Sequence, residues 1–155
     1  MPHDHSHDHD HCIDSALEVA ENLCREKGLR FTPIRKEILK MVWSSHKAVK
    51  AYDLLDRLGR ESSVGSAKPP TVYRALDFLM NEGLVHKIES LNAYIGCPHP
   101  ATDHLSQFLI CDNCSEVVEV DITGIEDEIK AVSSANEFTV RGQTIEVHGL
   151  CKSCV

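Results

Sequence analysis

Residues 69–83 read PPTVYRALDFLMNEG. The two prolines preset the backbone of a first helical turn, and Gly83 supplies a stop. Between them Val72, Ala75, Leu76, Leu79 and Met80 recur at i, i+3, i+4, i+7 and i+8, the spacing of one buried helical face. Thr71, Tyr73, Arg74 and Asp77 are left on the other side. Directly downstream, LVHKIE (84–89) and AYIGC (93–97) read as two short strands, with Leu91 and Asn92 near the turn. Upstream, three more helical segments are expected. Residues 14–27 place Ala16, Leu17, Ala20 and Leu23 on one face, and Gly28 ends the run. Thr32 as N-cap and Pro33 at the first helical position open the next, with Ile34, Ile38, Leu39, Met41 and Val42 as its stripe. Residues 51–61 carry Leu54, Leu55 and Leu58, and SSVGSAK (62–68) is a loop. Helices packed around a short helix–turn–helix and followed by a β-hairpin describe a winged helix–turn–helix.

The side of the 69–83 helix that does not enter the core has the chemistry of a DNA-reading face. Arg74 is the best base reader, because a bidentate Arg–guanine contact is the commonest specific one. Tyr73 and Thr71 suit phosphate or a thymine methyl, and Tyr52 suits the backbone or a base. Lys68 and Lys87 flank the helix and fit phosphate contacts, which position rather than specify. Each of these residues also fits an ordinary solvated face. The net charge of −8 argues at first against nucleic acid, but its distribution reverses that. Residues 30–90 hold 11 Lys and Arg against 7 Asp and Glu, or +4, while the remainder holds 5 against 17, or −12. A basic block beside an acidic one fits a DNA-binding domain joined to an acidic partner domain.

The second half changes character. Cys111 and Cys114, then Cys151 and Cys154, form two C-x-x-C pairs, the number and chemistry for one tetrahedral zinc held by four thiolates. The alternatives are two disulfides or four reduced thiols; nothing points to the oxidising compartment that disulfides need. Between and around the pairs we expect a strand near 104–110, a strand near 116–120, a helix near 122–135 and a strand pair through 137–148. No run of 18 apolar residues is present, so no membrane span is expected, and a cytoplasmic location follows. The expected architecture is α+β: a winged-helix domain at 13–97, a hinge at 98–103, and a small α/β domain at 104–155 stabilised by zinc.

Residues 1–12, MPHDHSHDHDHC, form a third region. His3, His5, His7, His9 and His11 alternate with acidic residues and end at Cys12. Such a segment cannot build a core and should be disordered without metal. It reads as a weak metal-gathering tail, or as an expression tag.

These segments resemble the ferric uptake regulator (Fur) family, and within it the zinc-sensing branch. The marks are LRFTPIRKEIL (29–39), AKPPTVYRALDFL (67–79), GLVHKIES (83–90), ICDNC (110–114) and IEVHGLCKSC (145–154). The resemblance implies that the α/β domain at 104–155 is a dimerisation domain, and that the homodimer represses zinc-uptake genes by binding double-stranded operator DNA when zinc is bound. One or two dimers per operator are both compatible with it. It implies two zinc ions per subunit: a structural one on Cys111, Cys114, Cys151 and Cys154, and a regulatory one on His86, Cys97, His104 and Glu119. Tyr52 and Arg74 match residues that read DNA.

The residue chemistry agrees. Two imidazoles, a thiolate and a carboxylate make a four-coordinate set that zinc accepts, and its two negative charges neutralise the ion. The thiolate disfavours harder ions such as manganese. Strand alternation puts Glu119 on the face of Val117, opposite Val118 and Val120. Read singly, His86 also fits a wing residue touching phosphate, Glu119 an edge-strand charge, and Cys97 a small buried hydrophobe. The chain departs from the iron and peroxide branches, which carry a histidine cluster just before the first C-x-x-C; only His99 and His104 stand here. His99 is a further accessory metal candidate, and His148 reads as structural, with a ligand role as the alternative. An iron or peroxide sensor and a zinc buffer or metallochaperone are the alternative functions. An enzyme is not expected, since four protein ligands leave no open metal position for water.

Overall fold

A computed structural model describes residues 9–100, 102 and 105–155 of the chain. The described residues fall into two compact units, the first ending at Thr102. The architecture is α+β.

The first unit contains α1 (His9–Lys27), α2 (Pro33–Val42), α3 (Ala51–Glu61), α4 (Pro69–Asn81), β1 (Val85–Ile88), a 3-10 turn (Glu89–Leu91) and β2 (Ala93–Gly96). The helical stripes all face one core. Ala20 of α1, Ile38, Leu39 and Val42 of α2, Leu54 and Leu58 of α3, and Val72, Leu76 and Leu79 of α4 are essentially inaccessible. Gly83 sits at φ +70 just beyond α4, and the Leu84 N–H returns to the Leu79 carbonyl at 2.8 Å. A residue with a Cβ is strained there, so the glycine ends the helix and turns the chain into β1. Arg35 of the LRFTPIR segment lies over the Phe78 ring, 3.6 Å from its centroid, and so braces α2 against α4.

The hairpin is antiparallel with Val85 opposite Gly96, His86 opposite Ile95 and Lys87 opposite Tyr94. Asn92 closes the turn in the left-handed region at φ 48. Val49 adds a third position to this small sheet, exchanging two 2.8 Å backbone bonds with Tyr94. Gly96 has a different reason from Gly83: a Cβ there would lie 2.3 Å from Trp43 Cε2, so the indole packs directly on the strand's backbone.

One expectation for this unit holds in position only, and another is corrected. Thr32 has the extended N-cap backbone but makes no side-chain cap bond, and its buried hydroxyl has no hydrogen-bond partner among the described residues. Instead its carbonyl accepts the Lys36 N–H at 3.1 Å, and Pro33 starts the helix. The first helix begins at His9 rather than near residue 14, so His11 and Cys12 stand on its first turn and not in a coreless tail. The remaining tail histidines that were singled out, His3, His5 and His7, lie outside the described residues.

The second unit is a three-stranded sheet ordered β4-β3-β5, with β3 (Ser106–Cys111) in the centre. β4 (Val117–Glu119) runs antiparallel to it, pairing Phe108 with Glu119. α5 (Ile125–Ala135) then carries the chain across to β5 (Thr144–Gly149), which runs parallel to β3 with Leu109 opposite Val147 and Cys111 opposite Gly149. The expected strand pair over 137–148 is therefore one strand. Phe138 N–H is spent on the Ser133 carbonyl at 2.8 Å and Glu137 takes φ 52, so the start of that segment is the C-terminal cap of α5. A parallel partner also needs a crossover, which uses the rest. Few side chains of this unit are fully buried: Phe108, Ile110, Cys111, Val117 and Gln107. A core that small does not hold about 50 residues together without a staple.

Candidate metal centres and nucleic-acid interface

The staple lies at one end of the sheet. β3 ends at Cys111, and the turn after it brings Cys114 back, with Ser115 at φ 62 and its N–H on the Cys111 carbonyl at 2.9 Å. The neighbouring β5 ends at Gly149, opposite Cys111, and delivers Cys151 and Cys154 to the same place. Strand pairing thus erases the sequence gap between the two pairs. The four thiols lie within 4.8 Å of one another, and Cys114 Sγ is 3.8 Å from Cys151 Sγ. A tetrahedral zinc with Zn–S of ~2.3 Å requires sulfurs ~3.8 Å apart, so the donors fit that ion.

Their proton chemistry points the same way. Backbone N–H groups of Cys114 and Cys151 hold the Cys111 thiol down to about 6. The hydrogen bond with Cys154 pushes Cys151 up to about 12. The Glu116 backbone N–H favours the Cys114 thiolate, but the bond to Cys111 and burial together outweigh it and leave Cys114 raised. One thiolate forms readily; further negative charge in so small a space is resisted unless a cation joins it. His148 lies beside this cluster and not in it. Its Nδ1 is 2.9 Å from Asp112 Oδ1 and its Nε2 is 3.9 Å from Glu146 Oε2, which bridges β5 to the first thiol turn.

The regulatory set is described only in part. In the first unit, a His86 ring nitrogen on β1 and Cys97 Sγ just after β2 lie within 4.8 Å of each other. Backbone pairing does this: the Cys97 N–H donates to the Leu84 carbonyl at 3.0 Å, which brings the end of the hairpin back beside its start. Cys97 is buried and His86 half-buried. An imidazole and a thiolate at that separation can share one metal ion. Glu119, in the second unit, is half-buried on the face of the buried Val117, as strand alternation required, while Val118 points outward. His104 lies outside the described residues. His99 is exposed and joins no grouping of metal-binding side chains among them.

The proposed DNA-reading residues occupy the outer side of the helix–turn–helix. Tyr73 is 47% and Tyr52 78% exposed, too open for large aromatic side chains with a core role. Arg74 and Lys68 are exposed and Thr71 is half-buried. Lys68 is the N-cap of α4, where no side chain caps the first turn. Lys87 is half-buried on β1 and lies 3.5 Å from Glu89. Two residues with structural consequences carried no pattern of their own: Trp43, which needs Gly96, and Asp112, which holds His148. The ring–backbone contact and the cross-strand pair exist only after folding.

A winged helix–turn–helix followed by a four-thiol sheet unit defines a class of two-part, metal-dependent DNA-binding regulators. The chain belongs to the ferric uptake regulator family, whose model matches residues 26–148. It is 45% identical over 140 residues to the zinc uptake regulation protein of Escherichia coli (strain K12), a match covering 90% of this chain and 81% of that one. Among solved structures it is similar to a zinc uptake regulator complexed with zinc and DNA (TM-score 0.86, 42% identity, 91% of this chain and 93% of that one). It is also similar to holo XcZur (TM-score 0.80, 45% identity, 90% of this chain and 96% of that one). No helix among the described residues is long and apolar enough to cross a membrane.

Proposed function

We propose that the chain is a zinc-responsive transcriptional repressor that binds operator DNA as a homodimer and silences zinc-uptake genes when zinc is plentiful. The observation that carries this is the placement of a buried thiol and an imidazole at the base of the wing of a DNA-binding fold. A metal site there can alter how the DNA-binding unit is held.

Cys111, Cys114, Cys151 and Cys154 hold one zinc as a permanent part of the second unit. His86, Cys97, His104 and Glu119 form the sensing set, two donors from the hairpin and two from beyond residue 102. When bound, the sensing ion supplies a reversible cross-link between those donors. Tyr52, Thr71, Tyr73 and Arg74 face the major groove, with Lys68 and Lys87 on phosphates. The uncapped start of α4 favours an anion at the same place. Homodimerisation is supported by an apolar stripe across the second unit's sheet: Leu109, Val118 and Val147 are in register on one face and 44%, 48% and 45% exposed. A dimer presents two α4 helices to major grooves ~34 Å apart, one turn of DNA. A cross-link that favours the competent pose by ~3 kcal/mol changes DNA affinity about a hundredfold, and DNA must tighten zinc binding by the same factor.

An iron or peroxide sensor fits less well. One thiolate in the sensing set selects zinc over harder ions, and the histidine cluster of those branches is missing. A zinc buffer has no use for the exposed Arg74 and Tyr73. The test is a titration of operator binding against buffered free zinc, with iron and manganese as controls. The expected result is half-saturation at very low free zinc, no response to iron, and loss of the zinc response in Cys97→Ser. Zinc-dependent DNA binding that survives Cys97→Ser would overturn the sensing assignment.

A further inference from the structure

The first unit contains a half-open cavity of about 310 Å³. Its wall is mostly apolar, with Val19 of α1, Leu39 of α2 and Trp43 among the lining side chains. Metal-binding groups line it from two sources: His11 and Cys12 on the first turn of α1, and Cys97, which is only 2% exposed. Helical spacing explains why both α1 residues reach it. His11 and Cys12 are eight and seven residues before Val19, two turns up the same face. The chain immediately before them supplies His3, His5, His7 and His9, an imidazole at every second position.

A hydrated zinc ion loses much solvation on the way to a buried thiol, and apolar walls give nothing back. The barrier falls if water is exchanged for protein ligands one at a time. We propose that His11 and Cys12 form a zinc transit site at the cavity, receiving the ion from the aqueous side and passing it to Cys97. In the exchange, bonds from zinc to the His11 nitrogen and Cys12 sulfur break as bonds to Cys97 Sγ and the His86 nitrogen form. The Cys97 thiol gives up its proton to solvent, the freed Cys12 thiolate takes one up, and nothing is oxidised or reduced. This deepens the proposed function, since it rests on Cys97 being a sensing ligand. A transit site acts on rates and leaves the equilibrium alone.

The experiment uses the full chain with the four-thiol site already filled, and cobalt(II) as the probe, followed by its thiolate charge-transfer absorption in stopped flow. In His11→Ala/Cys12→Ser, entry should slow by about tenfold, an entry barrier raised by ~1.4 kcal/mol. Release should slow by the same factor, with the equilibrium constant and the thermal midpoint unchanged. Unchanged rates would overturn the transit role. So would weakened equilibrium binding, which would make His11 or Cys12 resident ligands. Cys97→Ser separates the two claims: if it binds cobalt as the parent chain does, the sensing assignment fails and the transit site fails with it. If it loses the ion while the double variant is kinetically normal, only the transit site fails.

Discussion

Arg74 on α4 and Lys68 at its N-cap carry the same charge, yet their loss should read differently. If Arg74 makes the proposed base contact, Arg74→Ala should cost ~1–3 kcal/mol on the preferred operator and relax specificity at one base pair. If Lys68 makes the proposed phosphate contact, Lys68→Ala should weaken all sequences alike and lower the salt slope by about one. Fluorescence anisotropy over an operator series and a salt series distinguishes the two. A second single-residue prediction concerns Gly96. A Cβ there would stand 2.3 Å from the indole of Trp43, so Gly96→Ala should destabilise the first unit by ~1–3 kcal/mol. Trp43 is the chain's single tryptophan, so its emission reports the change directly. The roles of these residues were legible in the sequence to different degrees. Arg74 could be picked out because it sits opposite a complete apolar stripe. Gly96 could not, because nothing local to AYIGC announces an indole from the α2 side.

At the scale of elements, the four-thiol cluster makes β3 and β5 dependent on metal. The two strands end side by side at Cys111 and Gly149, and few other side chains bury between the faces of this sheet. Chelation, or Cys151→Ser, should therefore unfold the second unit, α5 included, while α1–α4 stay formed, visible as loss of strand signal in circular dichroism with most of the helix signal retained. Zinc binding here contributes on the order of 10 kcal/mol to that unit's folding. The pH dependence follows from the thiols. Cys111 titrates near 6, whereas Cys151 is pushed up to about 12 and Cys114 is raised above its usual value of 9.0. At neutral pH both Cys114 and Cys151 hold protons that the ion must displace, so binding should release at least about two protons per zinc. Apparent affinity should rise with pH and fall on acidification. Calorimetry in buffers of different ionisation enthalpy measures the release, and a count near zero would contradict it. The helices of the first unit were legible because stripes, prolines and glycines are local signals. The order β4-β3-β5 was not: 137–143 has strand-like residues, and only the cap on Ser133 and the parallel register show that it is a crossover.

At the scale of the whole molecule, the proposed dimer rests on the apolar stripe of the second unit's sheet. Leu109→Asp places a charge in the middle of the stripe on the central strand, where two like charges would face each other across a two-fold axis. It should convert dimer to monomer in sedimentation equilibrium and weaken operator binding, with the first unit's melting unchanged. A dimer that persists would place the interface elsewhere on the second unit. By itself, the sequence determined the helix–turn–helix, the wing, the acidic and basic halves and the four thiols, because each is written in spacing over a few residues or in composition. Only the tertiary structure decided that Cys111 and Cys151, 40 positions apart, meet where adjacent strands end. It also brought His86 to within 4.8 Å of Cys97, and gave His11, Cys12 and Cys97 one cavity. Those juxtapositions come from strand register and helix packing between distant segments, and no local pattern encodes the distance between two groups that meet only when the core closes.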